Sequence, residues 1–130
     1  MADGLVVRSG SDGVVLDMDH DGDERTGWAL YYLHLARNQR VTLGQSLKQG
    51  DPMGYPSSEG GEATGTHIHI ARKYNGEWLL AHGPIAFNLD GWIVHEGSAP
   101  YLGTLTREGF TVTACTCSDL YSAVPVMPAP

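Results

Sequence analysis

Gly65-Thr66-His67-Ile68-His69-Ile70 is the stretch on which the reading of this chain turns. Two histidines alternate with two β-branched isoleucines, and a glycine-rich turn, Glu59-Gly60-Gly61, leads in. Successive side chains of a strand point to opposite faces. Thr66, Ile68 and Ile70 then share one face, and His67, His69 and Ala71 the other. The pattern predicts an isoleucine face in a core and both imidazoles projecting into a groove.

Neutral imidazole is a common zinc ligand, and a catalytic zinc keeps three protein ligands and one open position. One histidine of the pair can serve as ligand while the other stands beside metal-bound water. A pair of solvated strand histidines is the bland reading of the same spacing. Upstream, Gly27 to Leu35 is the strongest strand pattern, with Trp28, Leu30, Tyr32 and His34 on one face and Ala29, Tyr31, Leu33 and Leu35 on the other. Both faces are largely apolar, as in a central strand. Between Val41 and Gly54, turns at Gly44 and Gly50 suit a tightly curved β-structure. Downstream, Asn75-Gly76 between strand-like flanks is a type I′ hairpin signal.

Towards the N-terminus, Gly4 to Arg8 and Val14 to Met18 read as strands joined by the turn Ser9 to Gly13. Asp17-Met18-Asp19-His20-Asp21-Gly22-Asp23 then matches the first half of an EF-hand loop. Trp28 stands where the twelfth-position Glu belongs, and the flanks are strands, so this is no EF-hand. Asp17, Asp19, Asp21 and Asp23 form either an acidic hairpin tip or a calcium-binding one. Towards the C-terminus, Trp92 to Glu96, Tyr101 to Thr106 and Phe110 to Ala114 read as short strands, with turns at Asp90-Gly91 and Glu108-Gly109. His82 and His95 stand singly and need no functional account.

With 130 residues the chain can bury a real core, and 17 glycines with 7 prolines favour short strands and tight turns. No stretch sustains a helical apolar period, so the expected class is all-β. The net charge of −7 argues against nucleic acid. No membrane-spanning run and no signal-peptide pattern is present. Cys115 and Cys117 are compatible with a strained Cys-x-Cys bridge, with two thiols, or with a partner elsewhere.

Taken together, Thr26-Gly27, Tyr32-Leu33-His34-Leu35, Val41, Gly44-Gln45, Gly50, Gly54 and Thr64-Gly65-Thr66-His67-Ile68-His69-Ile70 resemble the lysostaphin-like (LytM/LasA-type) zinc metalloendopeptidases. The resemblance covers about Ala2 to Trp78. It implies a small curved antiparallel sheet or sandwich with an active-site groove, of the duplicated-hybrid-motif kind. It implies peptidoglycan cross-bridge hydrolysis, with His69 a zinc ligand and His34 and His67 the catalytic histidines beside the bound water and the oxyanion. Zinc lowers the pKa of its water to about 7, one histidine takes that proton, and another donates to the tetrahedral intermediate. Family members draw two further ligands, a His and an Asp, from a motif ahead of the Ala-Asp-Gly-x-Val strand, which here begins at Ala2.

The expectation is therefore an endopeptidase domain lacking its first ligand motif, with zinc in the complete protein. A metal-free relative that binds cell-wall peptide or regulates a wall hydrolase is the alternative, and a calcium-steadied β-module a third reading. The expected layout is a peptidase-like domain over 1–90, a β extension over 91–122 and a proline-rich tail over 123–130. The expected partner is a peptidoglycan or Gly-rich peptide. The resemblance implies an extracellular or cell-envelope location for the parent protein.

Overall fold

β-Branched and aromatic runs punctuated by glycine turns give ten strands and no helix among the described residues. The computed structural model describes residues 2–115 and Val124. Cys117 and the proline-rich tail expected over 123–130 lie outside the described residues, apart from Val124. The chain divides into two compact units, Met1–Leu79 and Leu80–Pro130.

In the first unit, β1 (Gly4–Gly10), β2 (Gly13–Asp17), β3 (Trp28–Leu33), β4 (Ser46–Leu47), β5 (His69–Tyr74) and β6 (Glu77–Trp78) form one sheet in the order β4-β1-β2-β3-β5-β6. Every pairing is antiparallel. As the sequence suggests, β3 lies in the middle, between β2 and β5, and is buried through Ala29 to Tyr32. Val15 pairs with Tyr31 and Tyr31 with Ala71, so these three share a face. Val15, Ala29 and Tyr31 form a buried cluster there, with Val7 and Ala71 packed against it. On the other face Val14, Leu16, Leu30 and Tyr32 are also buried.

The isoleucine side of β5 faces buried residues as expected, but its histidine side packs as well. Ile70 pairs with Tyr32 on the face that buries Val14, Leu16 and Leu30, and Ala71, from the histidine side, is itself half-buried against the other cluster. The strand also starts later than its pattern suggests. Regular pairing begins at His69 opposite Leu33, and His67 makes only an isolated bridge to Ser57.

The second unit is a four-stranded antiparallel sheet ordered β10-β9-β8-β7, made of β7 (Asn88–Leu89), β8 (Trp92–Glu96), β9 (Gly103–Arg107) and β10 (Phe110–Thr113). Its hairpins turn at Asp90-Gly91 and Glu108-Gly109. Both residues of each turn have positive φ: 55° and 86° in the first, 49° and 85° in the second. Asn75 and Gly76 between β5 and β6 do the same, at 47° and 80°. That double left-handed geometry is type I′, whose twist matches the flanking strands. Cys115 is disulfide-bonded, which removes the reading of two free thiols.

Candidate functional site

The regular β3–β5 ladder aims His69 to the face that carries Leu33, Tyr31, Ala71 and Lys73. A strand continued through His34 would send that imidazole to the opposite face, beside Tyr32 and Ile70. Instead β3 ends at Leu33, and His34 adopts a left-handed backbone with φ of 65°. Such a conformation is uncommon outside glycine, though histidine is among the residues that tolerate it. The reversal brings three rings together. The His34 centroid is 4.4 Å from that of His67 and 6.5 Å from that of His69.

The loop between β4 and β5 holds His34 in this conformation. Ser57 donates to the His34 carbonyl through both its amide, at 2.7 Å, and its hydroxyl, at 2.9 Å. Leu35 bridges Pro56, and Ser57 bridges His67, so two residues of loop act as a short strand between the two histidine segments. The Glu59 amide donates to Ser57 Oγ at 3.1 Å, and the Glu59 carboxylate accepts from the Arg37 amide at 2.9 Å. Glycine is required just beyond. At Gly60, with φ of 77°, a Cβ would stand 2.5 Å from the Ser11 carbonyl oxygen.

The imidazole tautomers follow from these contacts. His34 Nδ1 lies 2.8 Å from the Glu59 carbonyl oxygen, and His67 Nδ1 lies 2.9 Å from that of Gly65. A carbonyl only accepts, so Nδ1 carries the proton in both rings and Nε2 is left for a substrate or water. His34 is buried, whereas His67 and His69 are exposed. The cluster therefore has one buried ring and two that face solvent.

Residues 1–80 match the family described as Peptidase family M23. The chain belongs to peptidase family M23. The match covers the whole first unit and all three histidines. No curated protein matches the chain. A solved structure described as the structural characterization of LytU is 28% identical to it, with a TM-score of 0.45. That alignment covers 58% of this chain and 52% of the other, so this chain spans about half of its length.

M23 peptidases are generally zinc-dependent. The family resemblance would make His69 one ligand. The metal-competent group of three among the described residues is Asp17, Asp19 and Asp21, and it includes none of the histidines. Residues 2–115 therefore do not make an M23 zinc centre by themselves.

The acidic hairpin divides its four aspartates. Asp17, Asp19 and Asp21 bring ligand atoms within 4.8 Å of one another. Asp23 does not join them, because Arg25 takes both its oxygens, at 2.8 and 2.7 Å. Those hydrogen bonds hold the Asp23 carboxyl down to about 2. Asp19 is pushed the other way, chiefly by a hydrogen bond shared with Asp17. In the second unit, His82 is within 3.0 Å of Glu96, and His95 Nε2 lies 2.7 Å from the Thr106 hydroxyl.

The pattern of the sequence did not disclose Ser57 or Glu59. The available signal was the Ser57-Ser58-Glu59-Gly60-Gly61 run, which marks a tight loop but not what it clasps.

Proposed function

We propose that the first unit carries the peptide groove and the histidine pair of a peptidoglycan endopeptidase, acting in the cell envelope or outside the cell. The observation that carries this reading is the convergence of His34, His67 and His69 with both catalytic-type rings held as Nδ1–H tautomers. His34 and His67 each offer Nε2 as the atom that takes or gives a proton during peptide-bond cleavage. His69 supplies one zinc ligand, and the other two come from outside residues 2–115. The exposed side of the pair accepts an extended, glycine-containing peptide. Among the described residues no helix is long and apolar enough to cross a membrane.

The single ligand favours a second reading, a metal-free relative that binds wall peptide. Two measurements separate them. The 130-residue chain, dialysed and assayed for metal, is expected to carry far less than one zinc, because a single imidazole does not hold the ion against dialysis. Tight stoichiometric zinc would overturn the one-ligand assignment. A fusion that presents a His and an Asp ahead of Ala2 is expected to bind one zinc and cleave glycine peptides. His69→Ala should then lose both properties. His67→Ala should keep the zinc and lose roughly 10²–10⁴-fold in rate, the usual contribution of a positioned acid or base. A zinc-loaded fusion that cleaves nothing would leave the metal-free binding reading.

A further inference from the structure

His69, Ala71 and Lys73 project from one face of β5, and the unbroken ladder sets Leu33, Tyr31 and Ala29 beside them. β6 adds Trp78, paired with Lys73. The Trp78 and Tyr31 rings are 4.7 Å apart, and Lys73 Nζ lies 4.4 Å from the first and 5.3 Å from the second. Tyr31 is 7% exposed and forms the floor, while Trp78 is 60% exposed and stands as a wall. The lysine is thus held by two π-faces on the same sheet face as the histidine cluster.

Its charge is unmatched. The chain has 15 acidic residues against 8 Lys and Arg. Arg8, Arg25, Lys48 and Arg107 are all paired with carboxylates. Lys73 has no carboxylate within ion-pair distance among the described residues, despite the acidic excess. Ring faces attract a cation without neutralising it, so its full charge is left for an incoming anion.

We propose that Lys73 and Trp78 form a carboxylate-binding subsite for an extended peptide that runs along this face from the histidines. The proposal rests on the peptide-groove reading above and adds to it the chemistry of the substrate. Lys73 is four residues from His69, about 13 Å along the strand at roughly 3.3 Å per residue. An extended peptide covers that distance in about four residues. The favoured substrate therefore carries a carboxylate, on a side chain or at a chain end, about four residues from the bond beside His67 and His69. The exposed ring of Trp78 supports the intervening small residues, and the ammonium fixes the register.

The test titrates the full chain with three peptides and follows the Trp78 indole and the histidine ring signals by NMR. The peptides are acetyl-hexaglycine amide, acetyl-pentaglycyl-glutamate amide, and acetyl-hexaglycine with a free C-terminal carboxylate. At least one carboxylate peptide is expected to bind about tenfold more tightly than the neutral one, the order of a charge-assisted hydrogen bond at a half-exposed site. The comparison of the two shows which carboxylate the subsite takes. Lys73→Gln should abolish the difference and Lys73→Arg should restore it, while hexaglycine amide binds all three proteins alike. The advantage should also shrink as salt rises. Equal binding of all three peptides, or an advantage that survives Lys73→Gln, would overturn the subsite and leave the groove standing. No binding by any peptide would remove the groove and the subsite together.

Discussion

Tyr32 lies 4% exposed in the central strand, and its hydroxyl has no hydrogen-bond partner. Burial pushes the phenol up to about 12. Below the ordinary tyrosine value near 10, the group is neutral folded or unfolded and contributes no pH dependence. Between about 10 and 12 the unfolded chain releases the proton while the folded chain retains it. The unfolded state is thereby favoured, so stability falls as pH rises through this window. The full shift amounts to about 2–3 kcal/mol. Urea unfolding at pH 8, 10 and 11.5 should show that loss, and Tyr32→Phe should reduce it while costing little at pH 8, since no hydrogen bond is removed. An equal alkaline loss in the variant would place the cause elsewhere. His34, two residues on, shows what a sequence leaves hidden at this scale. Its presence beside Tyr32-Leu33 marks it for the site, but parity along the strand points its ring to the wrong face. The left-handed turn that corrects this depends on Ser57 and Glu59, more than twenty residues away in sequence.

Among the elements, the acidic hairpin after β2 is organised around Asp17. Its side chain is fully buried and accepts from the Gly22 amide at 2.8 Å and the Asp19 amide at 3.3 Å. Asp21 accepts from the Asp23 amide in the same manner but at the surface. Removing a buried acceptor strands the donors that pointed at it, whereas solvent replaces an exposed one. Asp17→Ala should therefore lower unfolding free energy by about 1–3 kcal/mol, and Asp21→Ala by less than about 1. Denaturant midpoints at neutral pH measure both, and equal losses would reject the buried-acceptor account. The hairpins were legible from sequence because Asn75-Gly76, Asp90-Gly91 and Glu108-Gly109 supply the positive φ that type I′ turns need. Central β3 was legible because both its faces are apolar. The late start of β5 was not, nor the bridge of Pro56 and Ser57 between the two histidine segments. Such pairings are set by what the rest of the sheet brings near, not by local periodicity. Arg25 likewise diverts Asp23 from the cluster that its Asp-x-Asp-x-Asp spacing suggests.

For the chain as a whole, the two units differ in how much apolar surface they bury. The buried hydrophobic residues from Val6 to Leu47 all lie in the first unit, and Trp92 alone represents the second among the described residues. A chain segment below about 60 residues buries a smaller fraction of its surface and is marginal for that reason. The second unit, Leu80–Pro130, falls in that range. Its Phe110 and Tyr101 are exposed as well, so its strands rest mainly on ladder hydrogen bonds. Local opening is easiest where few apolar contacts must be broken. Native-state hydrogen exchange should therefore rank the amides of β2 and β3 as the slowest in the molecule, opening near the global unfolding free energy. Those of β8 and β9 should exchange through a lower-energy opening that leaves the first unit closed. The histidine cluster sits on β5 and the end of β3, so its ring signals should survive conditions that melt the second unit. If β8 proved as slow as β3, or if the His34 and His69 signals vanished with those of β9, the units would be one cooperative body. The histidine cluster would then depend on the C-terminal sheet for its own stability.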